Sequence, residues 1–387
     1  MAKQEPDAYF RQEPLLFLDR AFPAAGDSVW LPGRQLCVSE AAAARAVLTN
    51  DERLYEEHSD FFHTKRGLFG PRSVQVEMGR SARALLRAHL RAHAAELPQR
   101  IERELAPTSE WPDAGNWLLY RHLGGALVSP DSPVRLRRTL EEIVERAVLA
   151  GARQRYSRLT RAVFRFRVIR ELARAVHDRR ARRAQPPADV LDAMVAAAGS
   201  DVPAAELAEL FLSFLFAVAG SVGFVLGWSV YLLGTHPRTE AKPAWVVQEA
   251  LRLWPVAWML GRRPARSHEV AGAPVTPRDL VVVCPYAVHR NPKHWDDPDS
   301  FRPERWAADH DSKAFIPFGW GPHRCVAATL SMQLVEDILR ILGDRFRATV
   351  TPRTTRPCIG AALAPPRFTL DLDPLDRNRP PTGGERR

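Results

Sequence analysis

Apolar residues recur every three to four positions over the first two thirds of the chain, the period of an amphipathic helix. A strand-like LPGRQLCVSE (residues 31–40) runs into the helical AAAARAVLTN. RSARALLRAHLRAHAAEL reads as a basic helix. Two long helices are expected between residues 134 and 184, through Ile143, Val144 and Val148 and then Val163, Phe164, Val168, Ile169 and Leu172. Pro186 and Pro187 break the second, since proline lacks the donor a helix interior needs. ADVLDAMVAAA forms a shorter helix. After residue 265 the pattern turns strand-like and turn-rich, as in GAPVTPRDLVVVCPYAV. A last helix carries Val326, Leu330, Leu334, Ile338 and Ile341 on one face. No internal repeat is visible. The expected class is mainly α with a small β-sheet subdomain.

The longest apolar run is LFLSFLFAVAGSVGFVLGWSVYLLG, residues 210–234, which meets the length rule for a membrane span. Its glycines and serines, and the lack of an aromatic belt or basic anchor, favour a helix buried on all sides at the centre of a fold.

Composition narrows the picture. The 387 residues suffice for one large domain or two ordinary ones. The four cysteines, Cys37, Cys284, Cys325 and Cys358, show no CxxC spacing, so neither a zinc site nor a disulfide framework is indicated. MAKQEPDAYFRQEP lacks the apolar core of a signal peptide, and the expected location is cytoplasmic. The net charge of +10 is concentrated: residues 135–183 hold sixteen arginines against five acidic residues, and the rest is close to neutral. A basic shell all round would suggest nucleic acid. One basic helical segment reads either as a solvated face or as a local anionic contact.

The chemistry gathers near the C-terminus. FIPFGWGPHRCVAAT (315–329) crowds Pro317, Gly319, Gly321 and Pro322 before Cys325 and then enters the last helix. A thiol presented at a helix N-terminus faces free backbone N–H groups, which favour the thiolate, a nucleophile or metal ligand. In QEALRLWP, Glu249 and Arg252 lie i,i+3 on one helix face and can pair, and Arg305 in DDPDSFRPERW can join them.

Taken together, FGWGPHRC, the upstream EALR and the intervening PERW resemble the cytochrome P450 family of haem-thiolate enzymes. The resemblance covers roughly residues 25–370 and includes GLFG at 67–70 and AVHRNPKHWDDPDSF before PERW. It implies a segment 1–24 and a single catalytic domain over 25–372 with a central buried helix above the haem; the tail DPLDRNRPPTGGERR, 373–387, reads as disordered from its composition. It makes Cys325 the axial ligand of haem b (iron protoporphyrin IX), with Phe318 beside the sulfur and Gly319 where the loop backbone approaches the ring. His323, Arg263 and Arg87 are expected to meet the propionates, and Glu249, Arg252 and Arg305 to form the ion cluster of the proximal side. Ala219, Gly220, Val222, Gly223, Ala257 and Trp258 are expected to line the substrate pocket.

The sequence departs from the family at three places, the smallest being Ala327, which stands where the usual glycine follows two residues after Cys325. The His-x-x-x-Arg of an earlier helix is missing; GRSARALLR offers only Arg83 and Arg87. The acid–threonine pair of the central helix is also missing. Aligned on Ala219-Gly220, the acid becomes Val222 and the threonine Gly223, while Ser221 falls out of phase and points away from the iron. The resemblance then implies an oxidative enzyme acting on a hydrophobic small molecule in secondary metabolism. The basic segment becomes its lid, and an anionic or carrier-protein-bound substrate would suit that lid. The alternatives are a rearrangement, cyclisation or coupling without ordinary oxygenation, and a haem-free helper, against which Cys325 argues. No flavin or iron–sulfur motif is present, so a separate ferredoxin and reductase are expected to supply electrons. Neither a nucleic-acid partner nor a membrane span is expected.

Overall fold

The computed structural model describes residues 6–150, 155–182, 186–237, 239, 241–308 and 313–375. Its helices, in chain order, are α1 Pro6–Gln12, α2 Pro14–Ala25, α3 Ala41–Thr49, α4 Arg72–Ala92, α5 Leu97–Leu105, α6 Asp113–Leu127, α7 Val134–Ile143, α8 Arg158–Ala181, α9 Val190–Ala198, α10 Ala204–Leu215, α11 Val222–Thr235, α12 Pro243–Leu253, α13 Pro285–Val288 and α14 Ala328–Arg345. The mainly helical class with small sheets is therefore correct.

Local chemistry sets several boundaries. The Glu40 carboxylate accepts from the backbone N–H of Ala42 and Ala43 and starts α3; Asn50, left-handed at φ 56°, ends it. Ser157 and Asp189 cap α8 and α9 in the same manner. The principal sheet orders its strands 28–31, 35–38, 280–283 and 260–262. Strand 35–38 runs parallel to 280–283, so residues nearly 250 apart form its middle. Leu36, Val38, Val281 and Val283 are buried there. A second sheet pairs 346–352 with 368–374 and the latter with 108–111. The expected domain end at 372 lies inside this last strand, and residues from 376 lie outside the described ones. At the other end, Leu15 and Leu18 of α2 are buried with Trp228, Leu253 and Tyr286, which ties the N-terminal segment to the body.

The long apolar run becomes α10, a six-residue π turn over Phe216–Ser221, and α11. Ala204–Thr235 is long and apolar enough to cross a membrane, yet two thirds of its most apolar window (67%) is buried. It packs against α6, α8, α12 and α14, the position of a core helix. Its half-buried residues, Leu212, Ser213, Phe216, Ala217, Ser221 and Val222, interrupt an otherwise buried middle.

Candidate active site

Cys325 stands on the loop that feeds α14. Its N–H donates to Phe318 O at 3.0 Å and closes the loop, and Gly319 N–H donates to Ile316 O at 3.1 Å. Gly319 and Gly321 both hold positive φ, 71° and 70°, which favours glycine. Gly321 has a second constraint: a Cβ there would lie 2.8 Å from Thr49 Cα, so the close approach it permits is to the end of α3. Cys325 is exposed, and the backbone N–H groups of Ala327 and Ala328 lie on the side of its thiol. Crowding by protein atoms raises the Cys325 pKa above its ordinary value; the two N–H donors and Arg324 oppose this without reversing it. The helix terminus by itself therefore does not lower the Cys325 pKa. Cys37 and Cys284 are buried and Cys358 half-buried, as ordinary core cysteines are.

The ion cluster forms around one carboxylate. Glu249 is fully buried and accepts from Arg252 Nε and Nη2 at 2.9 and 2.7 Å and from Arg305 Nε at 3.1 Å. Two donors were not foreseen: Arg302 N–H at 3.1 Å and Trp306 Nε1 at 2.8 Å. Arg252 Nη1 and Nη2 also donate to the carbonyls of His289, Pro298 and Ser300. His289 completes the link to the cysteine loop. Its Nδ1–H donates to Arg252 O at 3.0 Å, and its Nε2 accepts from Ile316 N–H at 2.9 Å. Burial, with Arg252 nearby, pushes its pKa down to about 3 and keeps the ring neutral.

The cationic rim differs from expectation at two of three positions. Arg263 is exposed, with Nη1 3.5 Å from Pro277 O. Its neighbour Arg262 is buried instead and pairs with Asp60 at 3.0 Å. The cause is strand alternation: Leu260 and Arg262 share the inward face of strand 260–262. Arg87 likewise turns outward, because Met78, Ala82 and Leu86 take the buried face of α4. Arg83 reaches the cysteine loop in its place, 3.4 Å from Val326 O. His323 does sit at the rim: Nε2–H donates to Glu57 at 2.9 Å, and Nδ1 faces Arg72 Nη1 at 3.4 Å. A cavity of about 430 Å3 there is lined by Glu57, His58, Arg262, Pro322 and His323, among others.

The central helix is turned differently from the sequence alignment. Gly223 packs on α6, where a Cβ would lie 2.5 Å from Asn116 Nδ2 and 2.9 Å from Asn116 Cα. Asn116 is fully buried, and its Nδ2 donates to the carbonyls of Ala219 (2.8 Å) and Gly220 (3.1 Å) in the π turn. A Cβ on Gly220 would lie 3.0 Å from the Phe216 ring and 3.2 Å from Val148. Ala219, Gly220 and Gly223 therefore contact packed neighbours, while Ser221 and Val222 remain half-buried. A π turn carries one extra residue and rotates the residues after it by about 100°. That rotation brings Ser221 onto the half-buried face of Ser213, Phe216 and Ala217 and turns Gly223 away. Trp258 also leaves the expected pocket: its indole donates to Gly360 O at 3.1 Å and joins the core around Trp228. Ala257 is half-buried against the principal sheet, and Phe318 is half-buried in the main core.

The family model for cytochrome P450 matches residues 244–369, a span that holds Glu249, Arg252, Arg305 and Cys325. The chain belongs to the cytochrome P450 family. Cyclooctatin synthase of Streptomyces melanosporofaciens is 28% identical over 220 residues, 48% of this chain and 46% of that protein. Pentalenene oxygenase of Streptomyces avermitilis is 27% identical over 211 residues, 46% of this chain and 47% of that one. Human cytochrome P450 3A5 is 33% identical over 168 residues, 35% of this chain and 33% of its own. The chain thus spans less than half the length of these relatives. The fold likeness is wider: P450 EryK in complex with erythromycin B superposes at a TM-score of 0.70, with 18% identity over 95% of this chain and 99% of that one. A zebra fish cytochrome P450 with abiraterone gives 0.72, with 20% identity over 94% and 99%.

The donor set suits a haem. An exposed thiol on a loop closed by its own N–H bond to Phe318 O meets the demands of a soft axial ligand to iron, and Arg262, Arg72 and His323 suit carboxylates at the ring edge.

Proposed function

We propose that this P450 is a haem-thiolate oxidoreductase that oxygenates a small hydrophobic secondary metabolite. The observation that carries the reading is Cys325, exposed on the glycine-rich loop at the entry to α14 and held there by its N–H bond to Phe318 O. Cys325 would hold the iron, and Arg262 and His323 the propionates. When bound, the thiolate-ligated haem supplies the electron transfer and oxygen chemistry. The relatives named for cyclooctatin and pentalenene support the substrate class, and the apolar side chains Leu212, Phe216 and Val222 on the half-buried face of the central helix suit it. Ser221 shares that face and is the hydroxyl placed to hold a water or pass a proton there. No carboxylate accompanies it: residues 210–239 contain no aspartate or glutamate. This lack favours a second reading, rearrangement or coupling of an already oxidised substrate. Electrons for the first reading come from separate ferredoxin and reductase proteins.

The test is spectroscopic first. The reduced holoprotein under carbon monoxide should show a strongly red-shifted main band, absent in Cys325→Ser; a haem-free protein would overturn the assignment. Turnover under isotopically labelled dioxygen then separates the two readings. Label in the product supports oxygenation, and its absence supports rearrangement. Under oxygenation, Ser221→Ala should divert electrons to peroxide, whereas Gly223→Ser should not mimic a distal hydroxyl.

A further inference from the structure

The extra residue of the central helix has to be accommodated somewhere, and packing at both ends confines it. Upstream, Phe211 and Leu215 are fully buried and fix the phase of α10. Downstream, a Cβ on Gly227 would lie 2.9 Å from Pro365, and one on Gly234 would overlap Val350, so the phase of α11 is fixed as well. The two helices are out of step by one residue, about 100°. The delay is therefore taken up between Leu215 and Gly227. Its position decides which residues join the half-buried face of Leu212, Ser213, Phe216 and Ala217. With the delay before Ser221, that face receives Ser221. With the delay carried past Gly223, it receives Gly220 and Gly223, and Ser221 turns about 100° off it.

Asn116 separates these two arrangements. It is fully buried on α6, and its Nδ2 donates to Ala219 O at 2.8 Å and to Gly220 O at 3.1 Å. An unbroken α-helix engages such carbonyls in its own i→i+4 bonds, so the amide favours the state in which the turn is open at this place. Its other polar atom, Oδ1, has no partner among the described residues. A buried orphan acceptor is unfavourable, and an apolar side chain would avoid it. What the amide adds over an apolar side chain is its pair of N–H bonds, and both go to the π turn.

We infer that Asn116 is a positioning residue for the distal hydroxyl: its amide pins the π turn at Phe216–Ser221 and thereby holds Ser221 on the half-buried face. This rests on the reading that Ser221 serves the reaction from that face, and it assigns what keeps the hydroxyl there.

Two measurements on the holoprotein test it. The first is hydrogen–deuterium exchange, read by mass spectrometry on peptides covering 212–226. Exchange of the turn's amides should rise roughly tenfold or more in Asn116→Ala and in Asn116→Asp, which keeps the size but loses the N–H donors. The second is the infrared stretch of carbon monoxide on the reduced protein, which responds to a hydroxyl beside it. Ser221→Ala and Asn116→Ala should shift the band alike, and combining them should add nothing. Deleting Ala217 removes the extra residue, so α10 and α11 meet in step with Ser221 still on the face. In that background Asn116→Ala should no longer shift the band, a rescue that a merely structural role would not give. Unchanged exchange in both Asn116 variants would overturn the inference. So would a band that Ser221→Ala shifts and Asn116→Ala does not, or an Asn116→Ala shift that the deletion leaves in place. Faster exchange in the Asn116 variants, with a band indifferent to Ser221→Ala, would support the pinning of the turn and refute the role given to Ser221, which tells the two failures apart.

Discussion

Gly223→Ala tests the turning of the central helix directly. The new Cβ would lie 2.5 Å from Asn116 Nδ2, 3.1 Å from its Cγ and 2.9 Å from its Cα. The side-chain atoms could rotate away, but only by giving up the bonds to Ala219 O and Gly220 O. The Cα cannot, so α6 and α11 must separate slightly. Overpacking of a tight core costs about 1–3 kcal/mol, and a lost buried hydrogen bond adds about 1 kcal/mol. The expected loss is about 2–4 kcal/mol. At about 2 cal/mol/K per residue, a chain of this length should lose roughly 2.5–5 °C in Tm. Differential scanning calorimetry of the holoprotein reads this, with Val222→Ala as the control; that half-buried side chain should cost less than Gly223→Ala. Trimming the partner in Gly223→Ala/Asn116→Ala should recover part of the clash energy, a non-additivity expected of residues in contact. An unchanged Tm in the single variant, with a larger loss at Val222, would refute the packing and restore Gly223 to the open face.

Two further outcomes are expected from the buried polar groups. Glu249→Ala leaves Arg252 and Arg305 without their shared carboxylate in a buried setting and should cost about 3–5 kcal/mol. Haem content and urea midpoint should fall together; unchanged values would reduce the cluster to a surface contact. His122 is buried with both ring nitrogens unpartnered among the described residues, and burial, aided by Arg100, lowers its pKa to about 4. The unfolded chain binds this proton near pH 6.5 and the folded one does not. Stability should therefore be full above pH 6.5 and fall, by up to about 1.4 kcal/mol per pH unit, as pH drops from there toward 4. His289 acts in the same direction down to about pH 3. His122→Phe should flatten the urea midpoint's pH profile, and a parallel profile would show that the ring is not buried neutral.

The parts of the site that could be read from sequence are those whose geometry is local. Breakers followed by a helical period place Cys325 at a helix entry whatever the rest of the chain does. Glu249 and Arg252 meet because three residues separate them on one helix. Trp306 and Arg302 complete that cluster from more than fifty residues away, and a helical period says nothing about which distant loop crosses over it. Arg262 and Arg263 show the limit most sharply. A three-residue strand offers one alternation, too short for a pattern to reveal which arginine is inside. Only its pairing with 280–283 sets the side, and that partner lies beyond the next hairpin.

The central helix fails for a different reason. Its period is regular over some twenty residues, and that regularity invites a constant 100° step from Leu212 to Val225. Carried through at that step, Gly223 falls on the face of Leu212 and Phe216, which is the alignment read from the sequence. The π turn inserts one residue of delay between Phe216 and Ser221, and every later residue takes its predecessor's place. What holds the turn open is not in that stretch. Ala219 and Gly220 present carbonyls that the widened turn exposes, and the Asn116 amide, about a hundred residues earlier on α6, bonds both. Gly115 and Gly223 allow the close approach this requires: a Cβ on Gly115 would lie 3.2 Å from Gly223 O and 2.6 Å from the Trp111 ring. The glycine that looked like a lost hydroxyl is, in this packing, the space a buried amide needs. In the turn itself, the hydroxyl on the half-buried face is Ser221, two residues before it.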